Sequence, residues 1–255
     1  FNDRTFQYLE CLDCRSLVCH PMPDLETLSA MYGNNYFEGC HSVEADAQTK
    51  FGRVIEFLKT RPKGVFIDYG CGHGSLLNAA SELGWESIGI EFSEEKVTEL
   101  TGRLDLEIIS VDERPSKIAD VIHLGDVIEH LTKLDQQMPA ILELLKPGGI
   151  LVAHGPLEGN SNFFNFVLKL SRKIRRSNES RTPPYHVILA TTDGQSRFFQ
   201  RHNLRKLHFF VHDIPFPAPG RMTAKMSKSP RLVALFIVRK LSTIFAKVLG
   251  MRSRG

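Results

Sequence analysis

A chain of 255 residues with 42% hydrophobic and 24% charged residues can bury a full core and has ordinary globular composition, which excludes a disordered or fibrous polymer. Its five cysteines form no even secreted framework and no signal peptide is visible, so reducing, cytoplasmic conditions are expected. The net charge of +3 hides an asymmetry: residues 1–160 carry 13 Lys+Arg against 26 Asp+Glu, whereas residues 161–255 carry 19 against 3. The basic part favours an anionic partner, whether a nucleotide-linked sugar, nucleic acid or an anionic membrane surface, or else it complements the acidic part. The chain opens on Phe1 rather than Met, as a sequence lacking an N-terminal piece would.

Near the start, Cys11 and Cys14 have the spacing of half a zinc ribbon, since two thiolates three positions apart can share one tetrahedral metal. Cys19, His20, Cys40 and His41 lie nearby, but their spacing matches no ribbon. Residues 44–60 read as a helix, with Phe51, Val54, Ile55 and Leu58 at helical spacing. Arg61-Pro62-Lys63-Gly64 ends it.

The stretch Val65 to Ser75 reads as strand, glycine turn and helix start, with Asp68 at the strand end and Gly70, Gly72 and Gly74 alternating after it. Glycines permit a tight turn and let a ligand lie against the backbone and the following helix N-terminus. Helix character continues to Leu83, with Gly84 as its stop. The next strand, Ser87 to Glu91, ends in a second acid one βαβ unit later, where a carboxylate can accept ribose hydroxyls. Ser93 caps the helix that follows.

This Asp-x-Gly-x-Gly-x-Gly turn resembles the first motif of the class I S-adenosylmethionine-dependent methyltransferases. Residues 119–131, read as the fourth strand and the start of its helix, and the Leu145-Lys146-Pro147-Gly148-Gly149 turn into the fifth strand resemble later motifs of the same family. The order from 65 to 155 reads βαβαβαβ, which implies an α/β fold: a Rossmann-like, mostly parallel sheet with helices on both faces. The resemblance implies S-adenosyl-L-methionine as cofactor, held by Asp68, Gly70, Cys71, Gly72, Gly74, Glu91, Phe92, Asp112, Gly125 and Asp126. Phe92 would contact adenine and Asp112 would meet its amino group. The N-terminal segment also looks like the lead-in of a methyltransferase subfamily whose ribbon has two C-x-x-C pairs; only the second pair, Cys11 and Cys14, is present here. Tyr32 and Tyr36 would cover the cofactor or pack as aromatics.

Asp126, Glu129 and His130 sit at i, i+3 and i+4 and on a helix would share one face. Two carboxylates and an imidazole can hold a divalent cation, and the later histidine of some relatives would correspond to His186; in metal-independent relatives the same run only borders the cofactor. Residues 160–176 read as an amphipathic helix with a basic end, either a lid over the acceptor or a helix packed on the core. Thr182-Pro183-Pro184-Tyr185-His186 looks like the family's segment before the sixth element. His186 is the candidate general base, with Tyr185 assisting and His130 as a further catalytic candidate. His73, His123, His154 and the histidines from 202 to 212 carry no distinct signal. Residues 196–202 read as a helix and 204–211 as a late strand.

The last apolar run, from Leu232, lies among Arg239, Lys240 and Lys247 and is too short to span a bilayer. It would pack on the domain, mediate a dimer or lie on a membrane surface. The expected division is a ribbon-like lead-in (1–42), a cofactor-binding core (43–160), a lid with remaining core elements (161–220) and a basic amphipathic helix (221–255). The expected activity is methyl transfer to a small anionic acceptor such as a nucleotide sugar or glycan precursor, at oxygen or carbon. The alternatives are metal-assisted transfer to an RNA 2′-hydroxyl or a quinol, and a non-catalytic cofactor-binding module.

Overall fold

The computed structural model describes residues 4–31, 47–160, 184–211 and 227–249. The expectations for Tyr32, Tyr36, Cys40, His41, the basic segment 161–183 and the proline break at 215–220 lie outside these residues. The described residues fall into two units, one within Asp24–Gly155 and one drawn from Phe1–Pro23 and Pro156–Gly255.

The chain starts with an antiparallel hairpin of β1 (Gln7–Glu10) and β2 (Leu17–His20), in register from Gln7↔His20 to Glu10↔Leu17. Its turn is closed by Cys11 N donating to Ser16 O at 2.8 Å and Arg15 N donating to Cys11 O at 2.9 Å, with Arg15 in the left-handed region at φ 63. Backbone N–H groups of Cys14 and Asp13 point at the Cys11 sulfur and pull its thiol pKa down. Among the described residues no third ligand joins Cys11 and Cys14 in a metal-sized group.

The Asp24–Gly155 unit runs through α1 (Leu25–Met31), α2 (Ala47–Lys59), β3 (Val65–Tyr69), α3 (Ser75–Glu82), β4 (Glu86–Glu91), α4 (Glu94–Arg103), β5 (Glu107–Ser110), β6 (Ala119–Gly125), a 3-10 turn at Ile128–His130, α5 (Leu134–Leu142) and β7 (Leu145–His154). The five strands pair in the order β5-β4-β3-β6-β7, all parallel. This is the expected Rossmann-like sheet. All five residues of β3 are buried, as a central parallel strand with both faces covered requires. Leu58 of α2, Phe66 of β3, Leu76 and Leu77 of α3 and Leu100 of α4 are almost wholly enclosed. Trp85 packs its ring edge-on to Phe66 and donates its indole N–H to Leu58 O at 3.3 Å.

Two local expectations differ. No helix joins β5 to β6, so the order is βαβαββαβ; residues 111–118 lack the apolar repeat that a covering helix needs. The Lys146–Gly149 turn lies inside β7, where Gly148 takes φ 80 and the pairing with β6 shifts register.

Ser93 caps α4 as expected: its Oγ accepts from Lys96 N at 3.3 Å, with Glu94 and Glu95 in the first turn and Arg103 in the last. Ser93→Ala is expected to lower stability by about 1 kcal/mol, read as a shift in the urea midpoint.

In the other unit, β8 (Ile188–Leu189) adds to β2 in antiparallel register, Leu17↔Leu189 and Val18↔Ile188. α6 (Thr192–Arg201) is capped by Thr191, whose Oγ1 accepts from Gly194 N at 2.9 Å and donates to Cys14 O at 2.6 Å. Thr191 N donates to Ser16 Oγ at 3.1 Å. These bonds tie the hairpin turn to residues about 176 positions later, so the first 23 residues of the lead-in expected at 1–42 are built together with the chain after 156, and its residues from Asp24 fall in the other unit. Residues 204–211 form no strand, and Leu207, Phe209 and Phe210 are exposed; an apolar run becomes a strand only where a sheet edge pairs with it. α7 (Pro230–Leu249) completes the unit.

Candidate active site

The strand order reverses between β3 and β6, and in an open parallel sheet the crevice beyond the carboxyl ends at such a point receives the ligand. β3 delivers Asp68 and then the glycine loop to this place. Gly70 N and Cys71 N both donate to Ile90 O, at 2.7 and 3.1 Å, which fastens the loop to β4. Gly70 and Gly74 take φ 79 and 71, and a Cβ on them would lie 2.7 Å from Val127 Cγ2 and 2.8 Å from Leu104 Cδ1. Gly72, at φ 56, faces nothing within 4 Å, so its backbone is open to a ligand. Cys71 belongs to the core, and burial pushes its thiol pKa up.

Glu91 ends β4 and is buried. Its Oε2 accepts from Gly72 N at 2.8 Å, and its Oε1 accepts from Phe92 N at 2.8 Å and Ser93 N at 3.2 Å. Burial raises its pKa despite these three donors, with Asp68 adding to the rise. A carboxylate has about four acceptor positions, so one is left for a hydroxyl. The exposed ring of Phe92 meets Tyr69 edge-on at 5.7 Å between centroids. Tyr69, whose hydroxyl is pushed up to about 12 by burial and then by Asp112, lines a cleft of about 170 Å³ with Ile90, Val111 and Asp112. Phe92 and Asp112 thus both adjoin Tyr69, a residue sequence reasoning missed.

It also missed a pair of histidines. His123 stands opposite Asp68 in the β3–β6 register, and its Nδ1 lies 2.6 Å from Asp68 Oδ1, both side chains buried. Its Nε2 has no hydrogen-bond partner among the described residues. The His154 ring lies 5.0 Å away, and Phe51 of α2 covers both rings at 5.8 and 6.2 Å. A Cβ on Gly125 would come within 2.6 Å of His123 Cε1 and 2.9 Å of His154 Nε2, so only glycine fits there. Burial, followed by neighbouring His123, pushes the His154 pKa down to about 4.

Asp126 leaves β6 in the left-handed region at φ 54, its N–H donating to His154 O at 2.9 Å. The helix that would have aligned Asp126, Glu129 and His130 does not form: a 3-10 turn spans Ile128–His130 and α5 starts only at Leu134, because the left-handed residue interrupts helical dihedrals. Glu129 is buried, and its Oε2 would lie 3.2 Å from a Cβ on Gly155.

His186, the expected base, belongs to the other unit. Its Nδ1 lies 2.6 Å from Glu158 Oε2, and its backbone carbonyl accepts the Tyr8 hydroxyl at 2.6 Å. Tyr8 is pushed up to about 12 by burial, then by Cys19 and Glu158. Tyr185, next to His186, is half-buried. Glu158 and Tyr8 carried no sequence signal, being 28 and 178 positions from His186.

Residues 43–208 match the family described as "Methyltransferase domain", well over half of the chain. The chain belongs to the class I S-adenosylmethionine-dependent methyltransferases. This methyltransferase is 26% identical over 129 residues to a ubiquinone biosynthesis O-methyltransferase of Bradyrhizobium diazoefficiens, covering 48% of this chain and 50% of that one. It is 35% identical over 113 residues to a ribosomal protein L11 methyltransferase of Haemophilus influenzae, covering 41% of this chain and 37% of that one. The chain therefore spans about half or less of the length of these curated relatives. A solved S-adenosylmethionine-bound structure of CalS10, an amino pentose methyltransferase from Micromonospora echinaspora, is 18% identical with a TM-score of 0.41, covering 49% of this chain and 57% of that chain. The methyltransferase's own residues fit S-adenosylmethionine, the family's cofactor: open backbone at Gly72, a spare acceptor position on Glu91 for a ribose hydroxyl, and an exposed aromatic face at Phe92.

Proposed function

We propose that this protein transfers a methyl group to a hydroxyl of a small, anionic acceptor of the nucleotide-sugar or glycan-precursor class. The observation that carries the reading is the His186–Glu158 pair: an imidazole partly open to solvent, with Nδ1 held by a carboxylate at 2.6 Å. A carboxylate on one ring nitrogen fixes the tautomer and orientation of an imidazole, which is how a general base is held. S-adenosylmethionine, when bound, supplies an electrophilic methyl group on a sulfonium centre. Asp68, the Gly70–Gly74 backbone and Glu91 bind and orient it, and much of the acceleration comes from holding the reacting atoms in line. His186 would take the hydroxyl proton as the acceptor oxygen gains the methyl group and the sulfur–methyl bond breaks, with adenosylhomocysteine as the leaving group, and Glu158 would stabilise the resulting imidazolium. The excess of cations after residue 160, 19 Lys+Arg against 3 Asp+Glu, supports an anionic acceptor. Methyl transfer to oxygen is also what the name of the ubiquinone-pathway relative describes.

The test is methyl transfer from labelled S-adenosylmethionine across a panel of nucleotide sugars and glycan precursors. His186→Ala is expected to lower kcat by about 10²- to 10⁴-fold while the Kd for adenosylhomocysteine stays unchanged. Equal turnover in the variant removes His186 from the reaction. Turnover on RNA with a steep salt dependence, and none on the panel, replaces the acceptor class.

A further inference from the structure

The side chains of Ala234, Ile237, Leu241, Ile244 and Val248 on α7 are exposed, Ile244 and Val248 by 56% and 74%. Their 3-4-3-4 spacing lines them up as one stripe along a 20-residue helix about 30 Å long. Single exposed aliphatics are ordinary on protein surfaces, but a continuous stripe marks a surface that meets another apolar phase.

The charge around the stripe narrows that phase. Residues 221–255 contain nine Lys+Arg and no Asp or Glu. If two copies paired along the stripe as a coiled coil, Ala234, Leu241 and Val248 would take one core position and Ile237 and Ile244 the other. Lys240 and Lys247 would then both fall at the same flanking position, with apolar Val238 and Phe245 at the opposite flank. The segment offers those lysines no acidic partner, and pairing would bring two all-cationic segments together. No helix among the described residues is long and apolar enough to cross a membrane. A helix lying in the plane of an anionic bilayer surface satisfies both features: the aliphatic stripe enters the boundary between headgroups and acyl chains, and flanking lysines reach the phosphates. Lys240 is exposed with its Nζ 5.6 Å from the Phe236 ring, so its ammonium stands beside the apolar surface and not far out from it.

We propose that α7 docks this methyltransferase on an anionic lipid surface, stripe inward. This surface goes beyond the proposed reaction and does not depend on its acceptor. The experiment is co-sedimentation of the full chain with vesicles of phosphatidylcholine containing phosphatidylglycerol, against pure phosphatidylcholine vesicles. Binding is expected on the phosphatidylglycerol vesicles, with affinity weakened about tenfold or more by raising the ionic strength until the Debye length shrinks to a few ångströms. The double substitution Leu241→Glu with Ile244→Glu is expected to abolish binding, and unchanged adenosylhomocysteine affinity shows that this variant is folded. The proposal is overturned if the folded wild type stays in the supernatant, or if both vesicle types bind it equally. It is also overturned if ultracentrifugation shows a lipid-free dimer that the same double substitution splits, because the stripe then belongs to a second copy.

Discussion

Replacing Glu91 with alanine is expected to lower the affinity for adenosylhomocysteine by about 10- to 100-fold, measured by titration calorimetry. The carboxylate joins two parts of the site: Oε2 takes the Gly72 N–H, and Oε1 takes those of Phe92 and Ser93. A hydrogen bond from a ligand hydroxyl to a charged acceptor is worth about 1.5–3 kcal/mol, which corresponds to about ten- to a hundredfold in affinity. The same substitution leaves three backbone donors without their acceptor, so the ligand-free protein is expected to lose a few kcal/mol of stability as well. Glu91→Gln keeps one carbonyl oxygen and is expected to fall between the two. Acid acts in the same direction. Because burial raises the Glu91 pKa, protonation begins at a higher pH than for an ordinary glutamate and removes acceptor capacity, so affinity falls on acidification through that range. A folded Glu91→Ala protein with unchanged affinity would remove Glu91 from the cofactor site.

The parts of this site that sequence could show are those whose chemistry is local. The glycine turn, the acids at 68 and 91 and the Ser93 cap each depend on a few consecutive residues. A glycine turn alone is a weak signal, and the second acid at the end of the next strand is what makes it specific. The fold class followed from the same segments, because strand and helix signals alternated between residues 65 and 155. The absent strand at 204–211 was illegible for the opposite reason, since a short apolar run is shaped by whatever packs against it, whereas the lack of an apolar repeat at 111–118 was there to be read.

The buried polar cluster was hidden by register. Asp68 and His123 lie 55 positions apart, and only the pairing of β3 with β6 sets them on one face of the sheet. His154 joins them because β7 pairs with β6 so that it stands opposite Gly125, the glycine that leaves room for both rings. Gly125 was readable as a strand-end glycine, but what its missing side chain accommodates was not. The Glu158 and Tyr8 contacts of His186 lie 28 and 178 positions away, so His186 could be singled out from its motif while the groups that hold it could not.

His154 gives the other large expected effect. Its pKa is near 4 in the folded protein, against 6.5 for an ordinary histidine, because burial and the neighbouring His123 disfavour a charge there, while Asp126 and Asp68 partly oppose them. The unfolded chain therefore takes up the proton first as the pH falls. The contribution to stability is fully present above about pH 6.5 and is lost between there and about pH 4, a change of about 3 kcal/mol. Other groups titrate in this interval, so the measurement is a difference: urea unfolding of the wild type and of His154→Phe, from pH 7 to pH 4. The variant places an uncharged ring of similar size beside Phe51 and His123, and its stability is expected to fall by about 3 kcal/mol less than that of the wild type across the interval. Glu91 works with the opposite sign. Its raised pKa means that the folded state binds the proton more tightly, so its contribution diminishes as the pH rises through its ordinary value to its raised one. A hydroxyl donor on the Glu91 carboxylate offsets that loss, so adenosylhomocysteine is expected to stabilise the protein more at pH 7 than at pH 4. Parallel pH profiles for wild type and His154→Phe would show that His154 is not held neutral by burial.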